Sequence, residues 1–287
     1  MTRRSKLKLG VGAFLSLIVV MSTSPSWART LQEILSSKKI RLGTIPYPPM
    51  TQLDSRTGKY SGLWIDGPKF MFEQAGIEAE FVETKWATFP SALQSNQFDV
   101  FVGGSFATPR RATAVDFSRP VMFMGHSVAI RKESAEKFKS MADLDKPGVT
   151  IATVLGTSGH EYMKQNFKNA TIRALDTGDL TQDSLEVLAG RADAALQDAF
   201  KIAQVAARYP DRLLDLFSDK PFYVLPIAYA IGSGNKELLQ LINTSLEWME
   251  SSGKWQELAK PYREQLGGVF YVDRSYKPFG GPGAKAE

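Results

Sequence analysis

"FDVFVGGSFATPRRATAVDFSRP", residues 98–120, decides how the rest of the chain is read. Its opening, "FDVFVGG" (98–104), is a short apolar run bounded by glycines, the pattern of a buried strand. Thr108 and Pro109 then form a helix start, with Thr as N-cap and Pro at the first helical position. Arg110 and Arg111 fall in the first turn, where the helix end carries partial positive charge and cations are disfavoured. Before them, Ser105, Phe106 and Ala107 present backbone N–H groups at a strand-to-helix turn, which suits an anion. An arginine beside that turn gains a partner when a carboxylate binds, through a two-pronged charged hydrogen bond. The competing reading is structural: a salt bridge to Asp116 or Asp99, or plain exposure. Spacing does not say which arginine points inward.

Outward from this stretch, short apolar runs alternate with helical patterns. "KIRLGTI" (39–45) reads as a strand that "YPPM" (47–50) breaks, and "GPKFMFEQAG" (67–76) as a helix ending at Gly76. "EAEFVET" (78–84) alternates like a strand, and "WATFPSALQSNQ" (86–97) reads as a helix with Pro90 in its first turn. With 98–104 this makes a βαβαβ order, which implies a parallel sheet with right-handed crossovers. The pattern then restarts, with strands at 125–132, 148–158 (strand and loop), 170–176, 192–198 and 224–234. Helices read at "SMADL", 159–169, 179–191 and 199–210, and two helical stretches from Asn235 close the fold. Two such groups in one chain suggest two α/β lobes. Ligands of open α/β sheets bind outside the carboxyl ends of the strands, here "IPYPPM", "TKWAT", "GGSFATPRR", "LGTSGH" and "QDAF".

Length and composition agree. The 287 residues suit two compact lobes, and 43% hydrophobic with 23% charged residues is ordinary for a globular protein. There is no cysteine, which excludes disulfides, thiolate metal sites, a cysteine nucleophile and a cysteine-borne lipid anchor. Residues 1–28 join a basic start (Arg3, Arg4, Lys6, Lys8) to an apolar run from Leu9 to Met21 and end Ser26-Trp27-Ala28. That is the pattern of a secretory signal cleaved after Ala28, and the apolar run is short for a membrane anchor. "TRRSKL" weakly resembles a twin-arginine signal, but Lys6 sits where that signal prefers an apolar residue, so the general secretory route is expected. Four of the 35 basic and none of the 30 acidic residues lie in this leader, so the remainder carries a net charge near +1. No basic run supports nucleic-acid binding. The mature chain is expected to be soluble, outside the cytoplasm, and monomeric, with a Gly- and Pro-rich flexible tail over 269–287.

The other strand ends carry further candidates. Asp198 closes a strand, where it can receive an ammonium group or cap the helix that starts at Ala199. "LGTSGH" (155–160) is a Gly-rich turn with two hydroxyls, a generic anion-binding turn that lacks the lysine of a phosphate loop. Tyr47, Trp86 and Phe106 place aromatics at three strand ends, where they can flatten against a ligand. Trp64 fits core packing and cleft lining equally. His126 sits in an apolar strand pattern and reads as structural; His160 opens a helix and reads as exposed. Neither has metal-ligand spacing with a partner, and no hydrolase serine motif is present, so no metal, cofactor or catalytic group is expected.

Taken together, "IRLGTIPYPPM", "GKYSGLWID", "FDVFVGGSFATPRRATAVDFSRP", "GVTIATVLGTSGHEYMKQNF", "GRADAALQD" and "SSGKWQELAKPY" give residues from about 30 to about 265 their character. This region resembles the family 3 solute-binding proteins of bacterial polar-amino-acid ABC transporters. The resemblance implies a two-lobed periplasmic binding protein fold of type II. Lobe one would span 29–122 plus 225–268, lobe two 126–220, with two hinge crossings between them. It implies a periplasmic protein that captures an amino acid in the interlobe cleft and docks on an inner-membrane ABC permease.

Carried over by residue, Arg111 is similar to the arginine that grips the ligand α-carboxylate and Asp198 to the acid that pairs with its α-ammonium. Gly104 offers a carbonyl to the ammonium, Ser158 an N–H or hydroxyl to the carboxylate, and Tyr47 and Trp86 sandwich the ligand. Phe106 stands where the family has Ser or Thr, so its N–H remains while a hydroxyl is lost. Thr44-Ile45-Pro46 lacks the acid of members that take cationic side chains, and "GLWID" has Trp64 in place of an acid. These departures lean toward a neutral, moderately apolar amino acid. The alternative is a periplasmic cyclohexadienyl dehydratase on the same fold, for which Glu161 is the nearest general acid by sequence, although the helical pattern turns it to solvent. A receptor sensor module is a third possibility, which the lack of a second spanning apolar stretch disfavours.

Overall fold

The computed structural model describes residues 28–265 and 269–270. The expected leader, apart from Ala28, and the expected tail beyond Phe270 lie outside the described residues. The chain first forms α1 (Leu31–Ser37), β1 (Lys39–Thr44), a hairpin of β2 (Gln52–Asp54) and β3 (Lys59–Ser61), and α2 (Leu63–Gln74). It continues with β4 (Glu78–Glu83), α3 (Phe89–Gln94), β5 (Val100–Phe106), α4 (Pro109–Ala112) and β6 (Val115–Phe117). Then come β7 (Met122–Arg131), α5 (Met141–Leu144), β8 (Thr150–Val154), α6 (Ser158–Asn166), β9 (Thr171–Leu175) and α7 (Gln182–Leu188). The rest is β10 (Ala194–Asp198), α8 (Ala199–Arg208), β11 (Leu213–Asp215), β12 (Phe222–Gly232), α9 (Lys236–Ser251), α10 (Lys254–Ala259) and β13 (Val269–Phe270).

The main strand path runs β4-β1-β5-β12-β7-β10-β8-β9. Its flanks are parallel: β1 pairs with β4 and β5, and β8 with β9 and β10. The middle is antiparallel, β5 to β12, β12 to β7 and β7 to β10. Two parallel βαβ groups thus meet at the long antiparallel pair β7 and β12: β12 pairs into the first group through β5, and β7 into the second through β10. Burial follows position. β5 is buried at all seven residues and β10 at all five, as inner strands covered on both faces must be. The flanking strands β4 and β9 are half-exposed.

Each group has its own core. Leu42, Phe72, Phe89, Phe101 and Ile242 pack together in the first. In the second, alternate residues of the same strands feed two clusters: Val128, Ile130, Ile151 and Leu196 on one face, Ala129, Ala152 and Ala195 on the other. This is the two-residue period of a strand covered on both sides. The first core continues into the second group through Val154, Leu180 and Phe200.

Several boundaries differ from the sequence reading. β5 runs on to Phe106 because β12 pairs with it through Ser105 and Phe106. Ala107 then donates its N–H to the Pro226 carbonyl at 2.9 Å, so that group is not available to an anion at the turn. Helix α2 starts four residues before the expected Gly67, because Leu63, Trp64 and Ile65 already bury in the core. Pro68 is accommodated inside it. The reading also missed α1, although Thr30 and Glu33 form a full capping box there, a signal visible in sequence. The expected flexible tail begins in the sheet, where Val269 and Phe270 pair with Met124 and Phe123.

At the start of β12 the register shifts between Phe222 and Leu225. Tyr223 takes φ +48° there, a left-handed conformation costly for a side chain of its size. The bulge turns the Tyr223 carbonyl onto His126.

Candidate functional site

The carboxyl ends of β1, β5, β8 and β10 converge on one cavity between the two groups. Tyr47, Trp86, Gly104, Phe106, Arg111, Ser158 and Asp198 all line it, with Trp64, Met124, Thr157, Leu180, Gln197 and Ile227. The seven ligand-binding candidates are therefore brought to one place. The enclosed space is about 10 Å³, about what one water needs. Two larger clefts adjoin it between the same groups. One is lined in part by Trp86, Arg111, Gly156 and Glu161, the other by Pro48, Thr84, Leu180 and Lys201.

The two adjacent arginines divide. Arg110 is exposed, whereas Arg111 is 5% exposed. Helix α4 is only four residues long, and the Thr108 hydroxyl accepts the Arg111 N–H at 3.3 Å. The Arg111 guanidinium donates to the Ser105 hydroxyl at 3.2 Å, the Phe106 carbonyl at 3.1 Å and, across the cleft, the Gly156 carbonyl at 2.8 Å. Its Nε lies 3.3 Å from the Glu161 carboxylate. Burial pulls the Arg111 pKa down, and Glu161 offsets part of that. Of the structural alternatives weighed from sequence, plain exposure holds for Arg110, and neither salt bridge forms. Asp99 pairs with Arg41 at 2.7 Å and Arg29 at 3.0 Å, and Asp116 accepts from the Gly234 N–H at 2.8 Å.

Glu161 corrects one expectation. Its place in the first turn of α6 suggested solvent. Instead it closes on Arg111 and accepts from the Thr108 hydroxyl at 3.3 Å, because the start of α6 faces the other group. His160 is likewise partly buried, accepting from the Gly156 N–H at 3.3 Å. Gly156 has φ +79°, and a Cβ there would come within 2.5 Å of Ala87 Cα. Only glycine permits that approach of the two groups.

Of the two roles its position allowed, Asp198 takes that of the cap. It is 2% exposed and caps α8, its carboxylate accepting from the Lys201 N–H at 2.9 Å. The same oxygen accepts from the Tyr47 hydroxyl at 2.7 Å. Burial raises the Asp198 pKa against those hydrogen bonds and the nearby Lys201 charge. Burial and Asp198 together hold the Tyr47 hydroxyl protonated. Sequence reasoning missed Lys201. Its ammonium bridges to the Pro48 carbonyl at 2.6 Å and lies 4.2 Å from the Tyr47 ring centre. Burial brings its pKa down to about 8. Gln197 was missed too. It accepts from the Asp198 N–H at 3.0 Å and donates to buried Asp183 at 3.2 Å.

His126 fixes the hydroxyl of Ser158. Its Nδ1 lies 3.0 Å from the Tyr223 carbonyl and its Nε2 2.7 Å from Ser158 Oγ. A carbonyl only accepts, so Nδ1 carries the proton. Burial holds the His126 pKa down at about 4, so Nε2 is bare at neutral pH and the Ser158 hydroxyl donates to it. The hydroxyl proton is therefore spent within the protein, leaving the Ser158 N–H and oxygen lone pairs.

The walls are aromatic. Trp64 is both core and cavity lining: it is 1% exposed, 4.7 Å from the Tyr47 ring, and faces the cavity. Gly104 has φ +75°, and a Cβ on it would fall 2.2 Å from the Trp64 ring, so both backbone and packing demand glycine. The Phe106 ring lies tilted against the His126 ring, their centres 4.7 Å apart.

Residues 40–265 match the model of one protein family. The chain belongs to the bacterial extracellular solute-binding proteins, family 3. It is 26% identical over 216 residues to the L-cystine-binding protein TcyJ of Escherichia coli (strain K12), covering 75% of this chain and 79% of that protein. It is 25% identical over 220 residues to a cyclohexadienyl dehydratase of Pseudomonas aeruginosa, covering 76% and 80%. Among solved structures it is similar to the ancestral amino-acid-binding protein AncCDT-1, a precursor of cyclohexadienyl dehydratase. There the TM-score is 0.71 and the identity 33%, over 80% of this chain and 98% of that one. The family and the two-lobed α/β binding-protein fold implied by the sequence are both met.

Proposed function

We propose that this family member captures a free amino acid between its lobes and delivers it to an inner-membrane ABC permease. The observation that carries the reading is a buried cation, Arg111, and a buried anion, Asp198, lining one cavity whose other lining side chains are uncharged. A zwitterion supplies the complementary charges, and little else does. Its carboxylate lies on Arg111 and the N–H groups of Phe106 and Ser158. Its ammonium lies on Asp198 and the Gly104 carbonyl, and Tyr47 and Trp86 flank it. The ligand is neutral rather than cationic, since the strand end at Thr44-Ile45-Pro46 offers no acid.

Lobe one comprises 29–122 plus 225–268 and lobe two 126–220, joined by the crossings in β7 and β12. An amino acid needs more room than the enclosed cavity, so the lobes part to admit it. The ligand then favours closure because both lobes touch it. Hydrogen bonds from Tyr47 to Asp198, Lys201 to the Pro48 carbonyl and Arg111 to the Gly156 carbonyl support that closed arrangement. The chain works in the periplasm as a monomer, exported by cleavage after Ala28, without metal, cofactor or nucleic acid.

A thermal-shift screen against the twenty amino acids, opines and small organic acids tests this, because a ligand that binds only the folded chain raises its melting temperature. Stabilisation by one or a few amino acids is expected; no shift with any amino acid contradicts the proposal. A second reading, a cyclohexadienyl dehydratase, draws on Glu161, whose carboxylate stands beside Arg111 at the cleft. An absorbance assay for phenylpyruvate or phenylalanine formation separates the two. The proposal predicts no turnover.

A further inference from the structure

Two residues that line the cavity carry a buried donor without a partner. Trp64 and Trp86 are 1% and 5% exposed, and among the described residues the indole Nε1 of each has no hydrogen-bond acceptor. An indole nitrogen is a donor only, and a buried donor left unpaired is unfavourable. The other polar side chains of the cavity are already engaged. Arg111 donates to three oxygens, Tyr47 to Asp198, and Ser158 to His126. Gln197 uses both ends of its amide, and the Thr157 hydroxyl donates to the Val154 carbonyl at 2.8 Å. Around them Phe106, Met124, Leu180 and Ile227 are apolar.

We infer that Trp64 and Trp86 set side-chain specificity, and that the ligand is an amino acid whose side chain ends in a carboxamide. The inference rests on the amino-acid reading of the cleft. A carboxamide oxygen supplies the acceptor that the indoles lack. An aliphatic side chain leaves both donors unpaired. A lysine or arginine side chain brings only donors to meet them. A side-chain carboxylate supplies acceptors but adds a full negative charge to an apolar enclosure, which is costly. Trp64 thus acts through its N–H, at the position where the resemblance placed an acid.

Titration calorimetry with L-glutamine, L-asparagine, L-norleucine and L-lysine tests this on the mature chain and on Trp64→Phe and Trp86→Phe. Phenylalanine keeps the aromatic wall and removes the N–H. One of the two amides is expected to bind the parent chain at least roughly tenfold more tightly than norleucine or lysine. At least one Phe variant should lower the amide-to-norleucine ratio by about that factor while norleucine affinity holds. Each variant's melting temperature without probe separates a folding defect from a lost donor. Norleucine or lysine binding as tightly as both amides, or an unchanged ratio in both variants, overturns the inference. If Arg111→Ala also leaves amide affinity intact, or if none of the probes nor any other amino acid binds, the amino-acid reading itself has failed.

Discussion

Arg111 and Asp198 are both buried charges on one cavity, yet they are held in different ways. Arg111 is held by oxygens of both lobes, including the Glu161 carboxylate and the Gly156 carbonyl from the second. A ligand carboxylate must compete with these for its donors. Asp198 is held mainly by its own helix, whose first turn it caps, with Tyr47 as the one cross-lobe partner. On the proposed function the cation end is therefore a contested site and the anion end a structural one that the ligand would put to second use. Changes at Arg111 should act on binding and on the contacts between the lobes, whereas changes at Asp198 should act on binding and on the start of its own helix.

That contrast breaks most visibly at Asp198. Asp198→Ala and Asp198→Asn should each weaken amino-acid binding by about 2–5 kcal/mol, because the ligand ammonium loses its counter-charge. Only the alanine should also lower stability, by about 0.5–2 kcal/mol, since asparagine still caps. Titration calorimetry and denaturant unfolding read the two effects separately; equal stability losses would deny the cap. Glu161→Gln comes next. With its carboxylate gone, Arg111 is freer for the ligand, and affinity should rise by up to about tenfold. A fall in affinity would mean that Glu161 positions Arg111 instead of competing for it.

A separate effect, on stability alone, concerns pH. Burial pushes the Asp183 carboxyl up to about 8 from its ordinary 3.8. Between those values the folded chain holds a proton that the unfolded chain has released, so stability falls as pH rises from about 4 to about 8 and levels off above. Asp183→Asn should flatten this slope, read as melting temperature against pH; an unchanged slope would place its origin elsewhere. Arg110→Ala marks the low end of the scale. Being exposed beside a buried twin, Arg110 should change affinity by less than about 0.5 kcal/mol.

The same contrast explains what was legible in the sequence. Asp198, the aromatics and the arginine pair were legible because each lies at or just past a strand end, where topology places the site; only the family resemblance singled out Arg111 from Arg110. Glu161 and Lys201 were not, although each lies three residues past a residue that was. Both sit in the first turn of a helix, where a charge ordinarily faces water. What turns them inward is the opposite lobe: Arg111 and Thr108 for Glu161, the Pro48 carbonyl for Lys201. No local pattern carries that information. The three-residue strands β2, β3, β6 and β11 escaped because they are shorter than any periodicity can reveal. The extra length of β5 likewise comes from its partner β12.

The central claim is that Arg111 grips the carboxylate of a bound amino acid. Titration calorimetry of the mature chain and Arg111→Ala against the twenty amino acids tests it most directly. The account predicts one-to-one binding of at least one amino acid by the parent chain. In the variant, affinity should fall by about 30-fold to several thousandfold. Undiminished binding by Arg111→Ala, or no amino acid bound by the parent chain, would contradict it.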